Sequence, residues 1–514
     1  MLPLRIAIVL LAALLSAQGV AHARQGNAPY TISANAKRGV DVPLLTLPPI
    51  DAEVWRKHTQ PNSASSNSVR NKRLAVARGH DVSLEPLREG LRESLSDGST
   101  IWRLRVQAEG ATDLRIGFGR YLPAAGISVW VIGANDYYEG PYTADDAAPL
   151  WVPTVPGDSA IIEIRVAAGA SLEPDALVIT HVGAGFHDLF ARAVKRAGDS
   201  GACNINVACP LGQPYTNEQR ALAFLEFRAD DDGLTYICTG TMLADVPATR
   251  KNYLLSAAHC FSSATEAASL RVYWNYRSTQ CSSNSGFSLT QNQTGSTLRA
   301  TRADADFTLV ELNTAPLPSW QVYFAGWDAS GIAPSSSIGL HHPSGDVAKV
   351  TQSSAAPYNF DNCIGTGGTS ANTHWHSGPY SQGMTEGGSS GSGLWIPSSD
   401  AGGRGKRLIG VLSGGNAQCS ISNPNVPDGG FDCYGKFSAG WDGPASNSRL
   451  RDWLDPASSN SLSIGGLEAG ATQPPAGALA TPMAARGFAR SNRTDPDYLR
   501  PPPLPFDTRT RPAR

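Results

Sequence analysis

Three short segments carry residue types that can do chemistry together. The first is Ala257-Ala258-His259-Cys260, which follows the apolar run Tyr253-Leu254-Leu255-Ser256. A histidine directly after a buried strand, next to a Cys260 that can pair with Cys238 in Cys238-Thr239-Gly240-Thr241, is held from two sides. An imidazole titrates near neutral pH, so a positioned one suits a general base. The second segment is Asp304-Ala305-Asp306-Phe307-Thr308-Leu309-Val310-Glu311-Leu312, an alternating half-buried strand with Asp306 at its start. A buried carboxylate there can accept the Nδ1 proton of His259, fix its tautomer and stabilise the imidazolium. Asp304 competes for that role, with a turn as its plainer use; Asp306 is favoured because it abuts the strand. The third is Gly387-Gly388-Ser389-Ser390-Gly391-Ser392-Gly393-Leu394-Trp395. Glycines on both sides of a serine let the backbone turn tightly and aim N–H groups at one point, as an oxyanion site requires.

The elements that must position these groups are strands. The chain has 514 residues, with 52 Gly, 36 Pro and only 17% charged residues. That composition argues against long solvated helices and coiled coils and favours short strands joined by turns. Lys plus Arg number 42 against 44 Asp plus Glu, so the strongly basic footprint of a nucleic-acid binder is absent. Arg5, the apolar run Ile6 to Leu15 and Ala21-His22-Ala23 read as a secretory signal cleaved after Ala23. The apolar run is too short for a comfortable bilayer span, so no membrane anchor is expected. All eight cysteines (203, 209, 238, 260, 281, 363, 419 and 433) fall in one region, the arithmetic of disulfides in an exported domain.

Residues 24 to about 90 read as an irregular lead-in, with a Ser/Asn cluster at 62–68. From Thr100 onward, Ile101 to Val106, Ile127 to Ile132 and Ile161 to Val166 alternate, which predicts a small antiparallel sandwich. His181 and His187 in that half have no partner motif and read as surface or turn residues. Lys195-Arg196 beside the polar stretch 197–201 marks a cuttable boundary. The expected organisation is a signal at 1–23, a pro-segment at 24–197, a catalytic domain at 198–466 and a disordered Pro/Arg-rich tail at 467–514.

The order His259, Asp306, Ser390 is that of chymotrypsin-like peptidases, whereas subtilisin-like and α/β-hydrolase enzymes use other orders. Residues 198 to about 466 resemble the bacterial lysyl endopeptidases, a branch of that group. The matching pieces are Gly201-Ala202-Cys203-Asn204-Ile205, Ala258-His259-Cys260, Val272-Tyr273-Trp274-Asn275-Tyr276, Asp306-Phe307-Thr308-Leu309, Ile338-Gly339-Leu340-His341-His342-Pro343, Thr385-Glu386 through Ser392, and Asp452-Trp453-Leu454-Asp455-Pro456-Ala457-Ser458. The resemblance implies an all-β, chymotrypsin-like double β-barrel with its active site between the barrels. It implies His259 as general base, Asp306 as its orienting carboxylate, Ser390 as nucleophile and the N–H groups of Gly388 and Ser390 as oxyanion donors. It implies Asp432 as the carboxylate that reads a basic side chain, and disulfides Cys203 to Cys419, Cys209 to Cys281 and Cys238 to Cys260. Cys363 and Cys433 then remain, and by elimination they should pair.

Where the family carries a stacked histidine and tryptophan beside the pocket, this chain has Ser413, in Leu412-Ser413-Gly414-Gly415, and Cys363 or Ile364. Lys and Arg are therefore joint candidates for the residue read, with a lean to Lys. Ser413, Gly414 and Gly415 are the expected substrate-binding edge. His374-Trp375-His376 lacks a third ligand, so no metal and no cofactor are expected. Ser389 stands where many animal enzymes of this fold carry an Asp that pairs with a new N-terminus, which removes that activation switch. The expected partners are protein or peptide substrates and the chain's own pro-segment, acting as folding aid and cleft blocker. The expectation is a monomeric secreted serine endopeptidase, extracellular or periplasmic, that can cut itself at Lys195-Arg196. The alternatives are an inactive protease-like binding module, suggested by Ser389 and Ser392, and an esterase using the same three groups.

Overall fold

Alternating residues place the strands Thr100–Ala108, Ser159–Val166 and Ile127–Ile132 side by side. In the computed structural model they form a sheet in the order Leu44–Leu47, Thr100–Ala108, Ser159–Val166, Ile127–Ile132, Tyr138–Tyr142. The structure describes residues 26–33, 42–49, 70–146, 149–187, 200–361, 363–365, 371–400 and 402–469. The expected signal, the Ser/Asn cluster, Lys195-Arg196 and the tail beyond 469 lie outside the described residues. Period-two alternation sends Leu104, Val106, Val129, Val131, Ile162 and Ile164 to one face, where they pack on Leu114, Ile116, Phe118, Leu177, Ile179 and Val182 of a second sheet. The result is a two-layer sandwich.

That second sheet does not stop at the sandwich. Its order is Val155–Pro156, Asp113–Tyr121, Leu177–Gly185, Leu74–Leu84, Leu234–Met242, Leu222–Arg228, Arg271–Trp274, Asn292–Thr294. Leu74–Leu84 is the shared strand, pairing with Leu177–Gly185 on one edge and with Leu234 to Ile237 on the other. Here the structure corrects the expectation of an irregular lead-in. Arg78-Gly79-His80-Asp81 interrupts the apolar alternation of this 11-residue strand, so periodicity does not reveal it. Backbone pairing on both edges satisfies its N–H and C=O groups regardless of side-chain pattern.

Two barrels follow. The first uses Leu222–Arg228, Leu234–Met242, Tyr253–Ser256, Phe307–Leu312, Ser296–Arg302 and Arg271–Trp274. The second uses Ser337–His341, Lys349–Ser353, Tyr380–Gln382, His374–Ser377, Asp432–Lys436, Leu408–Gly415 and Gly393–Trp395. Trp274, Trp327, Trp395, Phe227, Phe261 and Phe437 fill the interiors and are fully buried. The fold is all-β, a chymotrypsin-like double β-barrel preceded by a sandwich. Disulfides join Cys203 to Cys419, Cys209 to Cys281, Cys238 to Cys260 and Cys363 to Cys433. Among the described residues no helix is long and apolar enough to cross a membrane.

The barrels approach closely beside Asp306. A Cβ on Gly435 would lie 2.1 Å from the carbonyl oxygen of Ala305, so only glycine fits between the two backbones there. Gly435→Ala should therefore push the second barrel away from Asp306 and lower stability by about 1–3 kcal/mol, the usual cost of overpacking. Thermal unfolding of the variant beside the wild type measures this, and an unchanged midpoint would contradict it.

Candidate active site

Strand Tyr253–Ser256 pairs with Phe307–Leu312, which brings the segments after the one and before the other to the same barrel edge. Asp306 itself has φ 47°, a left-handed conformation that aspartate tolerates better than most residues. This turn aims its carboxylate back at His259. The backbone N–H of His259 donates to Asp306 Oδ1 at 3.0 Å, and His259 Nδ1 lies 2.9 Å from Oδ2 and 3.1 Å from Oδ1. With Nδ1–H donated to the carboxylate, Nε2 is left as the acceptor and faces Ser390 Oγ at 2.7 Å. Burial by itself would raise the Asp306 carboxyl pKa. The charge of His259 and hydrogen bonds from His259 and Ser413 outweigh that, and Asp306 sits below the ordinary carboxylate value. Asp304 points elsewhere, accepting from Arg302 Nε at 2.6 Å.

The loop carrying Ser390 is fixed from several sides. Gly388 has φ +91°, and a Cβ on it would lie 2.9 Å from the carbonyl oxygen of His342, so glycine is required on both counts. Ser389, which has no carboxylate to pair with an N-terminus, meets His341 Nδ1 at 2.8 Å and accepts from the Glu386 N–H at 3.1 Å. Glu386 Oε1 in turn accepts from the Gly201 N–H and from Asn204 Nδ2 at 2.8 and 2.9 Å. Thr239 of the first barrel donates its N–H to the Ser390 carbonyl and its hydroxyl to the Gly388 carbonyl. These contacts hold the N–H groups of Gly388 and Ser390 on one side of the Ser390 hydroxyl.

Asp432 is fully buried in strand Asp432–Lys436, next to the Cys363–Cys433 disulfide. Tyr380 Oη and Thr385 Oγ1 donate to its Oδ2 at 2.9 and 2.6 Å. Its Oδ1 faces an ammonium of the same chain: Lys72 Nζ lies 2.7 Å away. Lys72 Nζ also donates to the Thr385 carbonyl (2.9 Å), to Thr385 Oγ1 (2.6 Å) and to the Ala417 carbonyl (3.2 Å). The Lys72 carbonyl accepts from the Gly388 N–H at 2.5 Å and the Ser390 N–H at 3.4 Å, while its own N–H donates to Ser390 Oγ at 2.9 Å. Upstream, Arg70 and Asn71 pair antiparallel with Gly415 and Gly414. Sequence reasoning missed Lys72 altogether. A lone lysine in a polar stretch carries no local signal, and only the chain path brings it to Asp432.

Ser413 has a different place from the one expected. Its hydroxyl lies 3.0 Å from His374 Nε2 and bonds to Asp306, so it backs the His259 carboxylate, while Gly414 and Gly415 form the pairing edge. Thr373 Oγ1 lies 2.9 Å from His374 Nδ1, which fixes the ring behind Ser413. His376 stacks between Tyr358 and Phe431, with ring centroids 4.3 and 4.2 Å away. His181 corrects the surface reading: it is buried in strand Leu177–Gly185 beside Trp151, and burial pushes its pKa down to about 3. His187 is half-buried against Phe186.

Burial, ahead of every other cause, lowers both His342 and His374 to about 4 from an ordinary 6.5. Between about pH 6.5 and 4 the unfolded chain takes up protons at these two sites that the folded chain refuses. Stability should therefore fall on acidification through that window, by about 2–3 kcal/mol per pH unit for the pair. Urea unfolding at several pH values measures the slope, and His374→Gln should lower it by about one proton's worth. Equal slopes for variant and wild type would refute the assignment.

Residues 197–435 match the family described as lysyl endopeptidase, C-terminal domain. A lysyl endopeptidase of Pseudomonas aeruginosa is 32% identical over 308 residues, covering 56% of this chain and 62% of that protein. The chain thus spans somewhat under two thirds of the length of this curated relative. Among solved structures, the active form of a protease from M. tuberculosis aligns with a TM-score of 0.27 at 13% identity, over 46% of this chain and 88% of that one. An inactive mutant form from M. tuberculosis H37Rv aligns with a TM-score of 0.26 over 45% and 91%. Residues 197–435 are thus similar to the C-terminal domain of the lysyl endopeptidases.

Proposed function

We propose that this chain is a secreted serine endopeptidase that hydrolyses peptide bonds on the carboxyl side of lysine. The observation that carries the reading is the Lys72 ammonium on buried Asp432, with the carbonyl of the same residue on the Gly388 and Ser390 N–H groups. Those are the contacts a substrate's basic residue and scissile carbonyl need in order to be read and polarised together.

In the proposed mechanism Ser390 Oγ attacks the carbonyl carbon and its proton passes to His259 Nε2. The negative charge that develops on the carbonyl oxygen falls to the Gly388 and Ser390 N–H groups. The imidazolium stays paired with Asp306, which keeps it in one tautomer and orientation. When the C–N bond breaks, His259 returns the proton to the leaving amine. Water then attacks the ester, passing a proton to His259, and Ser390 recovers its hydroxyl while a carboxylate leaves.

The geometry favours Lys over Arg. The ammonium reaches Asp432 Oδ1 directly at 2.7 Å and is already surrounded by three further oxygen acceptors. A guanidinium is longer and planar, and it would have to displace those acceptors or shift the main chain off the oxyanion donors. Discrimination against uncharged side chains follows from leaving Asp432 buried without a cation. Four disulfides suit an oxidising compartment, so the proposed site of action is outside the cytoplasm.

Mass spectrometry of products from a mixed peptide library tests the reading. Cuts should follow Lys, with Arg slower by about tenfold or more. Asp432→Asn should cost roughly 100-fold or more in kcat/KM for Lys peptides. Ser390→Ala should lose at least about 10⁴-fold and all fluorophosphonate labelling. Labelling that survives Ser390→Ala, or cuts without regard to Lys, would overturn the proposal.

A further inference from the structure

We propose that the Lys72–Arg73 bond is a self-processing site, cut in cis by the Ser390 of the same chain. The inference rests on the function proposed above and adds to it a specific first substrate. Both sides of the bond are held as a productive substrate would be. Upstream, Arg70 and Asn71 lie as an antiparallel strand on Gly415 and Gly414, and Lys72 fills the pocket. At the bond, the Lys72 carbonyl sits on the two oxyanion N–H groups, and the hydroxyl of Ser390 lies between the Lys72 N–H and His259 Nε2. Downstream, Arg73 Nη2 pairs with Asp231 Oδ2 at 3.0 Å and its guanidinium lies 4.1 Å from the Tyr236 ring centroid. Leu74 and Ala75 then pair with Ile237 and Tyr236 of the first barrel.

The step balances within the chain and water. Ser390 Oγ bonds to the Lys72 carbonyl carbon, its proton goes to His259, and the Lys72–Arg73 C–N bond breaks as that proton moves to the Arg73 nitrogen. Water then hydrolyses the ester, leaving a Lys72 carboxylate and a free Ser390 hydroxyl. The consequence for maturation is specific. The new N-terminus at Arg73 begins the strand that sandwich and first barrel share, and that strand is paired on both edges. The cleft can therefore open when the stretch ending at Lys72 lifts off Gly414 and Gly415, while residues farther upstream stay on the sandwich through Leu44–Leu47 and the Tyr30 and Thr31 bonds to Glu163, and removal of the sandwich is a separate, later event. The same strand also keeps the leaving amine close to the ester, which slows the forward reaction relative to a free peptide.

The test follows the termini of the tagged full-length chain by mass spectrometry after synthesis. Wild type should yield a chain beginning at Arg73, with a first-order rate unchanged over about 100-fold dilution, as an intramolecular reaction requires. Ser390→Ala should stay intact at this bond, even when mixed with processed wild-type enzyme that cuts free Lys peptides, because its Lys72–Arg73 bond lies within its own cleft. Lys72→Gln should slow the cut by about 100-fold or more, and Lys72→Arg by less. A rate that scales with concentration, or Ser390→Ala cut at this bond by added enzyme as fast as wild type cuts itself, would overturn the proposal. The dilution experiment uses no variant and so does not depend on any variant folding. Wild type that hydrolyses Lys peptides yet keeps Lys72–Arg73 intact would overturn this inference alone. Absence of peptidase activity from every processed form would remove the proposed function as well.

Discussion

Burying a carboxylate is costly unless a cation is paired with it, and Asp432 is such a buried carboxylate. It is fully buried, paired in the sheet with Gly415 of strand Leu408–Gly415 and hydrogen-bonded to Thr385. Tyr380 and Thr385 supply hydrogen bonds to one of its oxygens, and a positive charge has to supply the rest. In this chain the charge is Lys72. That one ion pair fixes the path of the upstream chain through the cleft. It sets the carbonyl of residue 72 on the Gly388 and Ser390 N–H groups and places the next residue just before the strand that joins sandwich to barrel. The proposed specificity and the proposed self-processing are two consequences of the same buried charge.

The second constraint is the meeting of the barrels. His259 and Asp306 come from the first, Ser390 and Asp432 from the second. Hydrogen bonds of 2.7–3.1 Å among the first three groups survive only if the barrels are held without play. Thr239 reaching the Ser390 loop, Gly435 against Ala305 and Ser413 reaching back to Asp306 are the contacts that hold them. His374 behind Ser413 belongs to the same layer. It is buried and its ring is fixed through Thr373, so it locks the rotamer of the hydroxyl that steadies Asp306.

The sandwich is attached by a continuous sheet rather than by a loose linker. Leu74–Leu84 gives one edge to each partner, and the buried Arg115 of the sandwich donates to the Ser269 carbonyl and lies 3.6 Å from Glu226 of the first barrel. Polar groups desolvated in this way reward a unique docking register over a merely adhesive one. A segment anchored so firmly downstream of residue 73 can present residue 72 to the cleft without freedom to slip.

Much of this molecule is written locally. Period-two alternation marked the sandwich strands from Thr100 onward, and glycines around Ser390 marked a tight turn with exposed N–H groups. Residue types in the order His259, Asp306, Ser390, on a chain with clustered cysteines, pointed to the chemistry, because each group's role depends on its type and its immediate backbone. Lys72, the shared strand at 74–84, the turn of Ser413 toward Asp306 and the burial of His181 and His374 could not be read this way. Each depends on a partner far along the chain: Lys72 meets Asp432, Leu74 meets Ile237, and His374 meets Ser413. A side chain's local neighbours determine its conformation and its reactivity in principle. Which buried charge it neutralises, and which edge its backbone completes, is decided only when the folded chain leaves one group that can satisfy the other.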